Sequence, residues 1–173
     1  MNETMNTLLT RRSIRTFNDK PIPQEVLDQI LQAGIYAPTA RGEQNPIIIV
    51  ITDRDFIAKL SAENAKIMGR EGSDPFYGSK TILLVASKAT ANAVYDGSCV
   101  ISNLMNAAWS LGVGSCWIHR ARQELETDFG KEILRRAGVE EGEYVGIGHV
   151  ALGYFDGEVP QPKPRKQNWI YHI

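Results

Sequence analysis

Apolar residues recur three and four positions apart in several stretches of the chain, the spacing of one face of an α-helix. Pro23 suits a first helical turn, and Pro38 closes the segment that follows it. Asp53 suits an N-cap, and Gly112 stands where a helix end is expected. The predicted helices are one before Arg11, residues 23–35, a short one after Asp53, a central one over about 93–111, and residues 123–137.

Four other runs are short, apolar and rich in β-branched residues, with glycine, proline or asparagine at their borders. They predict strands over 47–52, 81–87, 115–118 and 144–155. Strands separated by helices favour an α+β domain with a central sheet flanked by helices. A chain of 173 residues is long enough to bury one substantial core, so we expect a single domain over residues 1–173.

Composition narrows the classes of partner. Hydrophobic residues make up 43% of the chain, charged residues 23%, and the formal net charge is −1. No overall field attracts nucleic acid or a membrane surface, and no apolar run approaches the roughly 20 residues of a membrane span. The first residues lack a sustained apolar region typical of a secretory signal, so a cytoplasmic protein is expected. Two cysteines and three scattered histidines predict neither a metal site nor a disulfide framework.

Gly146, Gly148 and Ala151 match the spacing of a dinucleotide-binding fingerprint. That motif requires a strand before the glycines and a helix after them. Here β-type residues continue through the motif, and the chain ends soon afterwards. We therefore predict that these glycines lie within a strand, where another backbone or a flat ring approaches closely.

The segment 11–15, RRSIR, concentrates donors for an anion. If it is extended, Arg11, Ser13 and Arg15 share one side and Ile14 lies on the other. Two guanidinium groups and a hydroxyl form a donor set that suits a phosphate monoester. The alternative is that these arginines only meet the C-terminal dipole of the preceding helix.

Residues 156–173 form a proline-bearing tail that ends in large apolar groups and also carries Lys163 and Arg165. A solvated tail is one reading. The apolar end favours docking on an edge strand or on a partner subunit, which would carry both cations to a defined site. Cys116 is a candidate nucleophile, although no histidine is placed by the sequence to activate it and a buried core thiol is the simpler reading.

Four stretches together resemble the nitroreductase family of FMN-dependent flavoproteins, in the expected order along nearly the whole chain. The segment RRSIRTF is similar to the family's N-terminal phosphate-binding signature. The others are APTARGEQNP beside the flavin ring, SLGVGSCWI after the central helix, and VALGYFDGEVPQPKPRK at the last strand and basic arm. Gly42 replaces an asparagine of many relatives, and Asn45-Pro46 replaces a Pro-Trp pair.

The resemblance implies a nitroreductase-like homodimer with a central mixed sheet, FMN at the subunit interface and the C-terminal arm on the partner. By this resemblance three groups of residues bind FMN. The phosphate and ribityl chain would be held by Arg11, Arg12, Ser13, Arg15, Lys163 and Arg165; the ring would be lined by Pro38, Thr39, Ala40 and Gln44, some from the partner; and the backbone around Cys116, Trp117, Ile118 and His119 would approach the polar edge of the ring.

The implied activity is ping-pong transfer of electrons from NADH or NADPH through FMN to a small acceptor such as a nitroaromatic compound or a quinone. FMN carries the chemistry, so no catalytic side chain is expected. The loop carrying Phe76 and Tyr77 is expected to be a mobile cover. Alternatives are a specialised flavin reaction on the same fold, such as reductive dehalogenation or an oxidation, and a non-catalytic FMN carrier or sensor.

Overall fold

A four-stranded sheet with helices on both faces organises the protein, whose computed structural model describes residues 1–139 and 143–173. In chain order the elements are α1 Glu3–Thr10, α2 Gln24–Ile35, a 3-10 turn Ala40–Gly42, β1 Pro46–Ile51, α3 Arg54–Ile67, β2 Thr81–Lys88, α4 Ala93–Ser110, β3 Gly114–Ile118, α5 Ala121–Leu125, α6 Asp128–Arg136 and β4 Tyr144–Gly153.

The strands lie in the order β1-β2-β4-β3, and all three ladders are antiparallel. A parallel contact occurs beside this sheet as a bridge between Ser13 and Ser115. The α+β class predicted from the sequence is confirmed, and within the described residues the predicted mixed character of the sheet is limited to that bridge. The arginine-rich segment therefore runs along the outer edge of β3.

Alternate residues of β2 divide the core between the two faces of the sheet, as the pleat requires. Leu83 and Val85 are fully buried on the face covered by α2 and α4. Ile82 and Leu84 are fully buried on the face covered by α3, α5 and α6. Since both faces are covered, β2 reads in the sequence as a continuous apolar run.

Local signals placed most helix ends correctly. The prediction of 23–35 corresponds to α2, and the central helix 93–111 corresponds to α4, which is followed by Gly112 at φ 74°. The Asp53 side chain caps α3 by accepting a hydrogen bond from the amide of Phe56 at 2.8 Å. That helix is longer than the short segment predicted.

The prediction of one helix over 123–137 is wrong. The chain forms α5 and α6 instead, because Thr127 interrupts the helix and caps the second part: its hydroxyl accepts a hydrogen bond from the amide of Gly130 at 3.1 Å. Gly130 also lies directly against the carbonyl of Glu124, where a side chain would not fit. The chain thus turns between α5 and α6, and the spacing of apolar residues did not reveal this turn.

The glycines of the false fingerprint lie inside β4, as predicted. A Cβ atom on Gly146 would overlap the backbone of Ala121, and one on Gly148 would overlap the indole of Trp117. The register of β4 against β2 shifts by one residue at Ile147, a β-bulge that places this side chain against Gly97 of α4. Another backbone and a flat ring therefore approach these positions closely.

Residues 156–173 form no helix or strand and are exposed throughout. The terminal apolar side chains are largely uncovered: Trp169 is 71% exposed, and Ile170 and Tyr171 are 77% exposed. Elsewhere, among the described residues, no helix has both the length and the apolar character needed to cross a membrane.

Candidate functional site

The segment after α1 is held in an extended conformation against β3. Its start is fixed by Thr10, whose hydroxyl accepts a hydrogen bond from the indole N–H of Trp109 at 3.0 Å. The amide of Ile14 donates to the carbonyl of Ser115 at 2.9 Å, and the Ile14 side chain is only 4% exposed. Burial of Ile14 sets the register and turns its neighbours in the sequence to the opposite side.

The charges of Arg11 and Arg15 and the hydroxyl of Ser13 act on the thiol of Cys116, and Arg12 acts on Arg11; these side chains are called the cationic cluster below. Burial raises the pKa of the Cys116 thiol above its usual value. The effects that oppose this rise come from the charge of Arg15, a hydrogen bond with Ser13 and the charge of Arg11. Cys116 is thus a buried neutral thiol under a cationic cluster, not an activated nucleophile.

The cationic cluster contains donors that the chain itself does not use. In the described residues Nη1 of Arg11 and Nε of Arg12 are buried and have no hydrogen-bond partner. Burial and the neighbouring charge of Arg12 lower the pKa of the Arg11 guanidinium. Two adjacent guanidinium groups with buried, unpartnered N–H groups are a site that favours an anion.

Part of the Arg12 guanidinium is used within the chain, at the end of α1. Its Nη1 donates to the carbonyls of Leu9 at 2.9 Å and of Arg11 at 2.7 Å, which closes the C-terminal end of α1. This is the helix-end interaction expected for an arginine in that position. Because this contact commits Nη1 of Arg12 to α1, Arg11 and Arg15 are the main candidates for anion binding.

The turn between β3 and α5 carries a second set of unused donors, which are backbone amides. It follows directly on Cys116, Trp117 and Ile118, with His119 exposed at its tip. In the described structure the amides of His119 and Arg120 donate to no other group. Arg120 adopts φ 82°, a left-handed conformation that is rare for a residue with a side chain. Sequence reasoning did not single out Arg120, because only the backbone shows its role.

The loop after α2 is held from inside the protein by Asp96 of α4. Its carboxylate accepts a hydrogen bond from the amide of Ala40 at 2.9 Å, and Thr39 accepts one from the amide of Gln44 at 3.1 Å. Three residues of this loop have positive φ angles: Arg41, Gly42 and Gln44. Asp96 was not predicted, although an acid on the apolar face of the central helix was a usable signal.

Within one chain the structure does not bring all the predicted residues together. Thr39 and Gln44 line a cavity of about 530 Å³ formed with residues of α2 and β1, and neither the arginine segment nor the turn after β3 borders it. Pro38 is exposed, and Ala40 is half-buried near the same loop. Lys163 and Arg165 lie in the exposed tail and make no polar contact with the described residues. The predicted groups thus occupy three separate places on the surface of a single chain.

The predicted mobile cover is wrong for Phe76. Its side chain is 1% exposed in the core beneath the sheet and meets the ring of His149 edge-on, with the ring centroids 5.2 Å apart. Asp74 fixes this loop by accepting hydrogen bonds from the amides of Phe76 at 2.9 Å and Gly78 at 2.6 Å. Only Tyr77, at 37% exposure, is available to a ligand.

Residues 8–154 of the chain match the model of the Nitroreductase family. The chain belongs to this family. An FMN-bound nitroreductase from Bacteroides fragilis superposes with a TM-score of 0.90 at 27% identity, covering 100% of both chains. One from Desulfitobacterium hafniense, also with bound FMN, gives 0.84 at 26% identity over 100% of both.

A curated relative from Archaeoglobus fulgidus, named as a candidate NADH dehydrogenase/NAD(P)H nitroreductase, is 32% identical over 159 residues, which are 89% of this chain and 86% of that protein. The resemblance seen in the four sequence stretches is therefore confirmed at the level of the family and of its fold.

Proposed function

We propose that this nitroreductase family member is an FMN-dependent oxidoreductase that takes electrons from NADH or NADPH and passes them to a small acceptor, such as a nitroaromatic compound or a quinone. The observation that carries the proposal is the pair of buried N–H groups, one on Arg11 and one on Arg12, that have no partner among the described residues. They fit a phosphate dianion. Family relatives whose solved structures contain FMN support the choice of this phosphate.

The roles of the residues follow from their chemistry. Arg11, Ser13 and Arg15 bind the phosphate and ribityl chain through charge-assisted hydrogen bonds. The free amides that follow Ile118 are donors for the polar edge of the ring, where they stabilise negative charge that develops on reduction. When bound, FMN supplies the hydride and electron transfer chemistry. The site therefore needs no protein nucleophile or general base.

The complete site requires a second copy of the chain. The loop with Thr39 and Gln44 borders a cavity that the arginine segment does not reach, so we infer that this loop, with Pro38 and Ala40, lines the ring bound by the partner. The exposed tail has no cover of its own, so we also infer that it docks on the partner. Docking would place Lys163 and Arg165 at a phosphate.

The experiment that tests this function has two stages. The purified protein is first examined for flavin absorption bands, and NADH or NADPH consumption is then followed with a quinone or a nitroaromatic compound. Steady consumption with the parallel lines of ping-pong kinetics is expected, because donor and acceptor use one open ring face in turn. A flavin-bound protein that is not reduced by either nicotinamide would contradict the enzyme and favour a carrier or sensor.

A further inference from the structure

Three buried polar side chains from three different elements meet beneath the turn between β3 and α5. Asn64 of α3 and His149 of β4 are 0% exposed, and Glu124 of α5 is 1% exposed. Asn64 donates a hydrogen bond to the Glu124 carboxylate, and Nε2 of His149 lies 2.9 Å from the other oxygen of that carboxylate. The cluster is separate from the arginine segment and from the loop after α2.

The cluster is attached directly to the turn. Nδ2 of Asn64 also donates to the carbonyl of His119 at 2.9 Å. The amide of Glu124 donates to the carbonyl of Arg120 at 3.0 Å, and the Arg120 guanidinium approaches Oδ1 of Asn64 at 3.5 Å. A cluster side chain thus holds the carbonyl of His119, while the carbonyl of Arg120 is held by the first backbone hydrogen bond of α5 and its guanidinium approaches Asn64.

This attachment offsets a local strain. A left-handed conformation costs a residue with a side chain about 1–2 kcal/mol, and Arg120 adopts it at φ 82°. Such a turn persists only when the surrounding structure fixes it. Buried polar groups are also costly to retain unless they are well paired, so an apolar trio would stabilise this core more simply. The residues present here instead fix the backbone of the turn.

We propose that Asn64, Glu124 and His149 are positioning residues that hold the turn at His119 and Arg120, so that its free amides are fixed for the polar edge of the flavin ring. The inference rests on the proposed function, because the amides matter only if the ring lies there. It predicts that loosening the cluster weakens the binding of reduced FMN more than the binding of oxidised FMN. A cluster that served the core alone would change the stability of the protein and leave the ratio of the affinities for reduced and oxidised FMN unaltered.

The test compares Asn64→Leu, which removes both hydrogen bonds donated by the amide, with Asp53→Ala. The second variant is the matched control: it removes the cap of the same helix and destabilises α3 by about 1 kcal/mol without touching the turn. The FMN dissociation constant and the midpoint potential of bound FMN are measured for both. Hydrogen exchange of the amides of residues 118–121 is measured in the FMN-free proteins.

For Asn64→Leu we expect faster amide exchange in the turn and about a tenfold loss of affinity for reduced relative to oxidised FMN, which corresponds to a potential about 30 mV lower. The control should keep the potential of the original protein. In the original background, Glu124→Gln, which preserves an acceptor for Asn64, should keep the potential close to that of the original protein, whereas Glu124→Leu should lower it. An unchanged potential in Asn64→Leu, or an equal change in the Asp53→Ala control, overturns the inference.

A double variant keeps the inference testable if Asn64→Leu folds poorly. Adding Arg120→Gly removes the left-handed strain and should recover stability, while the lower potential remains. Recovery of both together would show that the cluster acts only on the fold, against the inference. The proposed function fails by a different result, namely an original protein that binds no FMN.

Discussion

Arg11 offers the sharpest prediction, because the same group should weaken the FMN-free protein and strengthen FMN binding. Its Nη1 is buried without a partner, and burial together with the charge of Arg12 lowers its pKa. We consider the substitution Arg11→Met, which keeps a long flexible side chain and removes the guanidinium. Stability and affinity are then expected to change in opposite directions.

The magnitudes follow from the contacts. A buried polar group without a partner costs about 1–3 kcal/mol, so Arg11→Met should stabilise the FMN-free protein by at least about 1 kcal/mol. For a chain of this size that is a rise in melting temperature of about 2–4 °C. Loss of a charge-assisted hydrogen bond, about 1.5–3 kcal/mol, should raise the FMN dissociation constant about 10- to 150-fold.

The assay is thermal unfolding of the FMN-free protein together with fluorescence titration of FMN. Arg122→Met is the control, because it makes the same change of charge at an exposed ion pair. In that pair Nε of Arg122 lies 3.9 Å from Oε1 of Glu126. Such a pair contributes little, so neither quantity should move appreciably. An Arg11→Met variant that is less stable without FMN, or that binds FMN as tightly as before, would refute the reasoning.

The other predictions concern the cluster, the sheet and the tail. Arg15→Ala should strip flavin from the purified protein, as read from its absorption spectrum, whereas Arg122→Ala should remain yellow. Gly148→Ala should destabilise the protein by about 1–3 kcal/mol in urea unfolding, because its Cβ would overlap Trp117. Adding Trp117→Phe to this variant should recover part of the lost stability. If the effects of the two substitutions on the free energy of unfolding simply add, the contact is contradicted. Removing residues 160–173 should weaken dimerisation and flavin retention together, as measured by light scattering and absorbance; a truncated dimer fully loaded with flavin would contradict the role of the tail.

Sequence reasoning succeeded where a local pattern and burial gave the same answer. The extended segment 11–15 was predictable because a single apolar residue, Ile14, must point inward and so turns Arg11, Ser13 and Arg15 outward together. The close approach at Gly148 was predictable because a glycine inside a β-type run indicates that another group comes near the backbone. In both cases the neighbours in the sequence carried the information.

It failed where the decisive partner is distant in the chain. The loop around Phe76 is rich in turn residues, which concealed an aromatic side chain that reaches the core. Asn64 stands four residues after Leu60 and seven after Ile57, on the apolar face of α3, so its burial was detectable. Its pairing with Glu124 and His149 was not, because tertiary packing alone joins positions that are 60 and 85 residues apart along the chain.

Binding of the FMN phosphate by Arg11 and Arg15 is tested most directly by a comparison of two ligands. FMN and riboflavin share the ring and the ribityl chain, and only FMN carries the phosphate. Calorimetric titration of the flavin-free protein should show FMN binding at least about 100-fold more tightly than riboflavin, consistent with two charge-assisted contacts. Equal affinities for the two flavins would contradict the account.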